Sequence, residues 1–546
     1  MNDKPERTLS RRGLLAGGTA LAAAAILPKV PARAQAPARW RRYNVASPQG
    51  QQMLVHYQTA IKAMLALPPT DPRNWYRLAF QHYLDCPHGN WWLFPWHRGF
   101  TGWAEQIVRR FSGFDAFAFP YWDWTASPVV PAAMNQGLLT PANPAFIQNI
   151  GAFTAAFQRP LGSTTYWQGA QLQELQARQI NSNAVLWDQL TNPANANWPS
   201  FFPASGGGQN FPNVRNPNPQ LDCAASKAVS APTLAKAMAS QDYATFSSPP
   251  AQQHSDVVGF ALLEGQPHNN VHNNTGGVVY QQQGTQCGPN YTNTGGFMQA
   301  FLSPTDPLFY LHHSNIDRLW TAWTDKQKAA GLTYLPVPSL YAQWAKEPFL
   351  FFVNAAGQPV AQTHAGDYAN IGQFNYDYQP GSVGRLPNLG AVPRRRLPVR
   401  RFPGTPPVEL GGPAAGAARV RLEPDLLRLA RGGSGQTLIA KVTVQLPPHA
   451  RGDAYRIMVD AGDPAAAVEA GRISLFGHVM VHGPLIVTVP LDEALAILRG
   501  RNALKPNGAL VFRAVGPQRN GPAHVGMAME TPVAPVPVTA VVIEAH

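Results

Sequence analysis

The stretch HYLDCPHGNWWLFPWHR, from His82 to Arg98, sets three histidines (His82, His88, His97) within sixteen residues and surrounds them with Trp91, Trp92, Phe94 and Trp96. Imidazole is a good ligand for zinc, copper, iron and nickel, and an apolar shell around it governs water access and redox potential. The flanks read as helices. Asn74 is a natural N-cap for a helix running to Leu84, which carries His82 near its C-terminal end. A turn follows at Pro87-His88-Gly89-Asn90. A further helix is expected from Pro95 to about Phe111, with His97 in its opening turn and Glu105 two turns later on the same face.

A second cluster lies downstream: His268, His272, His312 and His313. His268 and His272 are four apart, so on a helix they share a face. Ser303-Pro304-Thr305-Asp306-Pro307 is a strong helix start, and apolar spacing predicts a helix from Leu308 to Gln327. Adjacent residues on a helix point about 100° apart, so only one of His312 and His313 is expected at the centre. Asp317, one turn after His313, is placed to accept the second ring N–H of a ligand histidine. Each cluster then offers three neutral nitrogens and no thiolate-rich or carboxylate-rich set. That suits copper or zinc, whereas a structural zinc site is normally closed by a fourth ligand. A lone helical histidine is usually a partly buried polar residue, and His56, His254, His364, His449, His524 and His546 read that way. Seven histidines gathered in two aromatic-rich groups do not.

Apolar content of 45% with 13% charged residues describes a folded globular chain, long enough at 546 residues for two or three domains. The formal charge is +13; the first 34 residues supply six Lys/Arg against two Asp/Glu, or +4, leaving +9 for the rest. Much of that remainder sits in Pro393-Arg394-Arg395-Arg396-Leu397-Pro398-Val399-Arg400-Arg401, so it is no nucleic-acid footprint. Ser10-Arg11-Arg12-Gly13-Leu14-Leu15, an apolar run to Leu27 and Ala32-Arg33-Ala34 read as a twin-arginine signal with a cleavage site, too short in its apolar part for a membrane anchor. Helices are expected over Pro48–Leu67 and Gln253–Gly265, with loops and short helices between Thr125 and Ser248. The Arg/Pro/Gly-rich linker spans 391–417. Beyond it, β-rich runs at Leu438–Val444, Tyr455–Val459, Ile473–Val481, Leu485–Val489 and Val538–Ile543 predict a mostly antiparallel β domain. Of three cysteines, Cys223 and Cys287 are free to pair in an oxidising compartment, and Cys86 lies beside His88.

The segment from Trp75 to Asp123, with Cys86-Pro87-His88-Gly89-Asn90-Trp91, Pro95-Trp96-His97-Arg98, Glu105 and Phe119-Pro120-Tyr121-Trp122-Asp123-Trp124, resembles the first copper motif of the tyrosinase family of type-3 dicopper proteins. The run from Asp306 to Trp320 resembles the second. Tyr376-Asp377-Tyr378 is similar to the tyrosine pair that closes that catalytic core against an early arginine, here Arg41 or Arg42. The resemblance covers about residues 40–380. It implies a mainly α core, a four-helix bundle holding the dicopper site over 35–390, then a mostly β C-terminal lid domain at 418–546, in a bacterial member with a signal peptide at 1–34.

Carried over by position, the resemblance implies His82, His88 and His97 on one copper and His268, His272 and His313 on the other, with His312 packing behind. His82 stands closer to His88 than in many members, and His56 is the reserve ligand; Leu93 stands where the family usually has Phe. Cys86 matches a cysteine that in some members forms a thioether to the ligand histidine, here His88; its bland reading is a small buried residue. Glu264 and Asn269 resemble the pair that holds a proton-accepting water. The implied chemistry uses two copper ions and O2 to hydroxylate monophenols at the ortho position and oxidise o-diphenols to o-quinones. Alternatives are a catechol oxidase without the hydroxylation, or a haemocyanin-like oxygen carrier; a dizinc hydrolase lacks its bridging carboxylates. Phe476, in Ser474-Leu475-Phe476-Gly477-His478, is the expected plug of a latent proenzyme, its bland reading being a buried strand residue. Partners are then small phenols and an activating protease at the exposed Arg-rich linker, with room for a homo-oligomer and none for nucleic acid or, once processed, a membrane. The implied location is periplasmic or secreted, by folded export.

Overall fold

The helix Pro48–Leu65 starts at Ser47, whose side chain accepts the Gly50 N–H, and it buries Met53, Leu54, Tyr57, Ile61 and Met64 along one stripe. It packs on Leu93–Ser112, which ends where Gly113 turns left-handed at φ +66°. Trp75–Asp85 is capped by Asn74, whose Oδ1 accepts the Tyr76 N–H at 2.9 Å, and all eleven of its residues are buried. Leu308–Ala329 begins beside Asp306, whose Oδ1 accepts the Leu308 N–H at 2.9 Å. The computed structural model describes residues 39–192, 204–205, 208–209, 211–284, 286–361, 363–382, 399–405, 416–432, 436–446, 454–476, 483–516, 518–519 and 536–546. The segment 1–34 expected to be a signal, most of the expected linker, and Gly477 and His478 of the stretch expected to carry the plug lie outside them. Among the described residues no helix is long and apolar enough to cross a membrane.

The helix expected over Gln253–Gly265 does not form. Its backbone is spent elsewhere: the N–H groups of Val258 and Gly259 both donate to Gly89 O, at 2.9 and 3.0 Å. Gly259–Phe260 is a two-residue strand instead, paired in parallel with Ile486–Val487 of the C-terminal region. A side chain at Gly259 would put a Cβ 1.9 Å from Ile486 O. The helix resumes as a π turn over Glu264–His268, which accommodates Pro267, and passes into the α-helix Asn269–Thr275. Such turns are often found at functional sites.

Among the described residues Gln518–Arg519 pairs in parallel with Asn290–Tyr291, while most C-terminal strands form two sheets. One runs in the order Gly259–Phe260, Leu485–Pro490, Leu438–Val444, Val538–Ala545, Arg400–Pro403; the other runs Val468–Ser474, Ala454–Asp460, Ala509–Val515, Ala418–Arg421. Apart from the Gly259 pairing these ladders are antiparallel, and their inward residues make a second apolar core beside the helical one. Two expectations shift. The strand read at Ile473–Val481 lies earlier, at Val468–Ser474, and the chain leaves the ladder at Leu475. Arg400–Pro403, read as linker, is an edge strand. Cys223 and Cys287 form a disulfide.

A buried ion network ties the helical core together. Arg42, fully buried, donates to Glu105 at 2.8 Å, to Asp317 at 3.2 Å and to the Tyr378 hydroxyl at 2.9 Å, and its guanidinium lies 3.8 Å over the Tyr376 ring. Arg98 donates to the other oxygen of Asp317 at 2.6 Å. Both Tyr376 and Tyr378 give their hydroxyl protons to Asp317. Asp317 is thus taken by two arginines and two tyrosines, and the expectation that it would serve a histidine ring is corrected. Burial works against its charge, but Arg98 and Arg42 outweigh that and hold its carboxyl below the ordinary range. Of the two arginines proposed for the tyrosine pair, Arg42 fills the role; Arg41 pairs with Asp377. Removing one partner of a buried pair strands the other charge, so Asp317→Ala should lower unfolding free energy by about 3–5 kcal/mol in urea titrations. A loss under about 1 kcal/mol, the scale of an exposed pair, would contradict this role.

His254, read as an isolated histidine, is buried among carboxylates: Nδ1 lies 2.7 Å from Glu347, and Nε2 lies 3.1 Å from Asp85 and 3.2 Å from Glu174. Burial alone would favour the neutral ring, but Glu174, Asp85 and Glu347 outweigh it and raise the pKa to about 10. A raised folded-state value gives stability that is complete below the unfolded value of 6.5 and is lost as pH climbs toward 10. Wild type should therefore exceed His254→Gln most at or below pH 6.5 and converge on it near pH 10 in unfolding titrations. A gap that stays constant or widens with pH would show that the ring is not held as a cation.

Candidate metal centre

Local structure brings the first three histidines together. His82 rides near the end of Trp75–Asp85, and His97 sits in the first turns of Leu93–Ser112. The loop between them reverses at Gly89, where φ is +71° and a Cβ would fall 2.6 Å from Val257 Cγ1, so glycine is required there. The reversal carries His88 to the other two: ring centroids are 5.4 Å apart for His82–His88, 5.3 Å for His82–His97 and 5.1 Å for His88–His97. In the second group the separations are 4.7 Å for His268–His272, 5.1 Å for His268–His313 and 5.2 Å for His272–His313. The groups face each other, with His97 stacked on His313 at 4.3 Å and His88 5.5 Å from His268. All six rings are buried. His56, the reserve ligand, stacks on Phe114 at 4.0 Å and has no part in this cluster.

The hydrogen bonds around the rings decide which nitrogen is free. His82 Nδ1 lies 2.6 Å from Phe301 O, His97 Nδ1 2.7 Å from Leu93 O, and His272 Nδ1 2.7 Å from Met298 O. A carbonyl only accepts, so each Nδ1 carries the proton and each Nε2 keeps a lone pair. His268 is held likewise by the Asn269 side-chain oxygen at 2.7 Å. The Nε2 atoms of His82 and His97 then stand 3.3 Å apart with no proton between them. Two imidazole nitrogens bound at about 2.0–2.1 Å to one ion, at a tetrahedral angle, are separated by roughly 3.3 Å. His272 and His313 bring their Nε2 atoms within 3.0 Å, while Nε2 of His88 and of His268 is buried without a partner. Orphaned lone pairs that converge in a dry pocket fit a cation.

Electrostatics agree. Burial, and after it the neighbouring rings, lower the pKa of His88, His97, His272 and His313 far below the ordinary value; burial takes His82 to about 3 and His268 to about 4. The rings are neutral ligands at neutral pH without having to shed a proton. An all-imidazole set, three of its tautomers fixed by carbonyls and one by an amide oxygen, suits copper or zinc.

His312 departs from the helical argument. Although about 100° round the helix from His313, it also joins the second group: one nitrogen from each of His268, His272, His312 and His313 lies within 4.8 Å of the others. Its Nδ1 accepts the Trp124 indole N–H at 3.3 Å, and its Nε2 is buried without a partner. Cys86 Sγ lies 3.4 Å from His88 Nδ1, and burial keeps it a thiol.

Glu264 and Asn269 are both buried here, but their side chains turn to different partners. Glu264 Oε1 accepts the Gly89 N–H at 2.6 Å and Oε2 pairs with the Ser248 hydroxyl; burial lifts its pKa to about 8 against the smaller pull of those two bonds. Asn269 bonds His268 and donates to Ser474 O at 2.6 Å. Phe476 lies over both groups, its ring 4.1 Å from His272, 4.8 Å from His88 and 5.6 Å from His268. Asn273 fixes the segment before it, donating to Ser474 Oγ at 2.8 Å and Leu475 O at 2.9 Å. Sequence reasoning had no signal for Ser248 or Asn273. Phe301, whose carbonyl holds His82 and whose ring faces His88 at 5.4 Å, was likewise unmarked.

Comparison with known proteins adds the lineage. Residues 51–326 match the sequence profile described as the common central domain of tyrosinase. Similar proteins include (+)-larreatricin hydroxylase of Larrea tridentata, 25% identical over 359 residues, 62% of this chain and 48% of that one. A polyphenol oxidase of Malus domestica is 26% identical over 379 residues, 66% and 51%. A tyrosinase of Podospora anserina is 26% identical over 285 residues, 46% and 41%. The chain spans about half the length of the curated relatives it matches. Two solved structures share the fold: a latent aurone synthase (TM-score 0.53, 16% identity, 94% of this chain and 90% of that one) and a latent apple tyrosinase (0.50, 17%, 93% and 98%). Matched through its central half, and with two groups of imidazoles turned on one another as type-3 copper requires, the chain belongs to the tyrosinase family.

Proposed function

We propose that this chain is a copper-dependent phenol oxidase that uses O2 to hydroxylate monophenols at the ortho position and to oxidise o-diphenols to o-quinones, and that it is made in a latent form. The observation that carries the proposal is the meeting of six buried, neutral imidazoles, four of them tuned by carbonyl or amide oxygens, under the ring of Phe476. When bound, a pair of copper ions supplies the reversible electron transfer that O2 chemistry needs and zinc lacks. His82, His88 and His97 are to hold one ion, and His268, His272 and His313 the other.

The protein's own groups do the rest. Asn269 keeps the proton on His268 Nδ1 and so presents Nε2 inward. The Cys86 sulfur, 3.4 Å from His88 Nδ1, is near enough to be joined to a ring carbon of His88 as a thioether, a two-electron oxidation that removes the S–H and C–H protons and for which O2 is the oxidant. Glu264, raised by burial to a pKa of about 8, accepts a phenol proton through one water from its ionised fraction, which grows as pH rises toward 8. Phe476 stands where a phenol ring would have to lie, and domain 418–546 acts as the lid that puts it there. Proteolysis in linker 391–417 would release it. The same reading has the chain exported folded by the twin-arginine route and acting outside the cytoplasm on small phenols. A second reading, diphenol oxidation alone, is favoured by Asn269: its amide is committed to His268 and Ser474 instead of sharing a water with Glu264.

Phe→Ala changes in packed sites commonly cost 3–5 kcal/mol, and about 1.4 kcal/mol of that falling on the closed state would raise the open population tenfold. Phe476→Ala in the intact, copper-loaded chain should thus raise o-quinone formation from a catechol by at least about tenfold. An unchanged rate at full copper content would end the latency proposal. In that unblocked background, Glu264→Gln should cut monophenol hydroxylation about 100-fold and leave diphenol oxidation within a few-fold. Equal loss of both activities would remove Glu264 as the base, and absence of hydroxylation from both proteins would leave the diphenol-only reading.

A further inference from the structure

Two adjacent histidines reach the second half of the site, and something must decide between them. His313 brings Nε2 to within 3.0 Å of His272 Nε2. His312 crosses the His272 ring edge-to-face at 4.7 Å and lies 5.4 Å from His268, so by distance it is as well placed as a ligand. Four imidazoles around one ion would make the closed coordination of a structural site, whereas a catalytic ion keeps a position open. The fold gathers four and the proposed chemistry wants three.

The difference lies in one hydrogen bond. Trp124 is fully buried, and its indole N–H can only donate; it points at His312 Nδ1 from 3.3 Å. That nitrogen must therefore hold its lone pair toward Trp124, and a neutral imidazole then carries its proton on Nε2. A protonated Nε2 cannot bind a metal. In this tautomer the buried Nε2–H of His312 meets no acceptor, since that nitrogen has no hydrogen-bond partner. On four of the ligand rings, His82, His97, His268 and His272, the logic is reversed: Nδ1 donates its proton to a carbonyl or amide oxygen, and Nε2 keeps its lone pair.

We propose that Trp124 is the positioning residue that keeps His312 off the second metal, by fixing its Nε2–H tautomer and so holding that ion to His268, His272 and His313 with a coordination position open. The proposal rests on the copper reading above and adds to it the reason that one member of the His312-His313 pair is excluded. It places the control in the segment Tyr121-Trp122-Asp123-Trp124, whose indole N–H reaches a helix about 190 residues away along the chain, |i−j| = 188.

The test uses the full chain loaded with copper, reading bound copper per chain, the rate at which a chelator strips it, and the number of imidazole nitrogens per copper by X-ray absorption. Trp124→Phe keeps the ring and removes the donor. His312 can then move its proton to Nδ1 and offer Nε2, so one of the two coppers should leave more slowly by about tenfold, the scale on which single changes around a ligand shift metal affinity. The nitrogen count should rise. Trp124→Phe/His312→Leu should restore the wild-type release rate and count, which a purely packing role for Trp124 would not do. His312→Leu alone should keep two coppers with wild-type release, and that variant tests the proposal even if Trp124→Phe does not fold. Wild-type release from Trp124→Phe, a change that persists in the double variant, or loss of copper from His312→Leu would each overturn the proposal while leaving the dicopper reading standing. A wild-type chain that binds no copper pair would overturn both.

Discussion

The ion pair between Arg98 and Asp317, closed at 2.6 Å, is the constraint on which the site depends. Arg98 follows His97 directly, and Asp317 comes one turn after His313. The pair therefore joins the two helices whose histidines stack at 4.3 Å and belong to opposite halves of the centre. Arg42 adds a second cation to the same carboxylate and reaches Glu105 on the Leu93–Ser112 helix, so the first strand, Trp40–Arg42, is drawn in as well. Trp40–Arg42 in turn pairs in parallel with Tyr376–Tyr378, whose hydroxyls complete the set around Asp317. Buried charge is costly unless satisfied from every side. Here that requirement forces elements from both ends of the helical core into one geometry, and the imidazoles inherit its precision.

The chain presents the centre to the C-terminal region through a different class of contact. Phe476 is buried against imidazole rings, and the strand before it and its neighbours meet the helical part through amide donors from Asn269 and Asn273, a 3.3 Å bond from Gln266 to Arg472 O, bonds from Arg472 to Cys287 O at 2.8 Å and Gly288 O at 3.2 Å, a Lys227–Glu493 ion pair at 3.0 Å and the two-residue pairing of Gly259–Phe260 with Ile486–Val487. Hydrogen bonds exchanged with water contribute about 0.5–1.5 kcal/mol each. The ionic clamp beneath the rings is fully buried whereas the seam above them is largely hydrogen-bonded, and local opening draws on the least stabilised contacts of a fold.

Much of this was legible in the residues. Histidine spacing, the Asn74 and Asp306 caps, and the aromatic wrapping place His82, His88, His97, His268, His272 and His313 on the elements where the structure has them, and Phe476 lies over them. What could not be read were partners chosen by tertiary contact. Asp317 has the right spacing for a histidine, yet arginines and tyrosines arriving from distant segments outcompete a neutral ring for a carboxylate. His254 looks solitary in sequence because Asp85, Glu174 and Glu347 are 80 to 169 positions distant in hydrogen bonds and ion pairs that only folding creates. The Gln253–Gly265 stretch has helical periodicity, but Gly89 O and Ile486 claim its backbone. Asn269 has the position of a water holder and spends its amide on His268 and Ser474. Apart from the bond between neighbours His268 and Asn269, each local pattern lost to partners that only tertiary folding brings near.

The central claim is that two imidazole triads, and no other groups, hold a pair of copper ions. Crystals of the copper-loaded chain, measured for anomalous scattering on either side of the copper edge, test it most directly. The account predicts two copper peaks per chain, one at about 2.0–2.1 Å from nitrogens of His82, His88 and His97 and one at that distance from His268, His272 and His313. A single peak, or a copper ion bound instead at the Asp85–Glu174–His254 cluster, would contradict it.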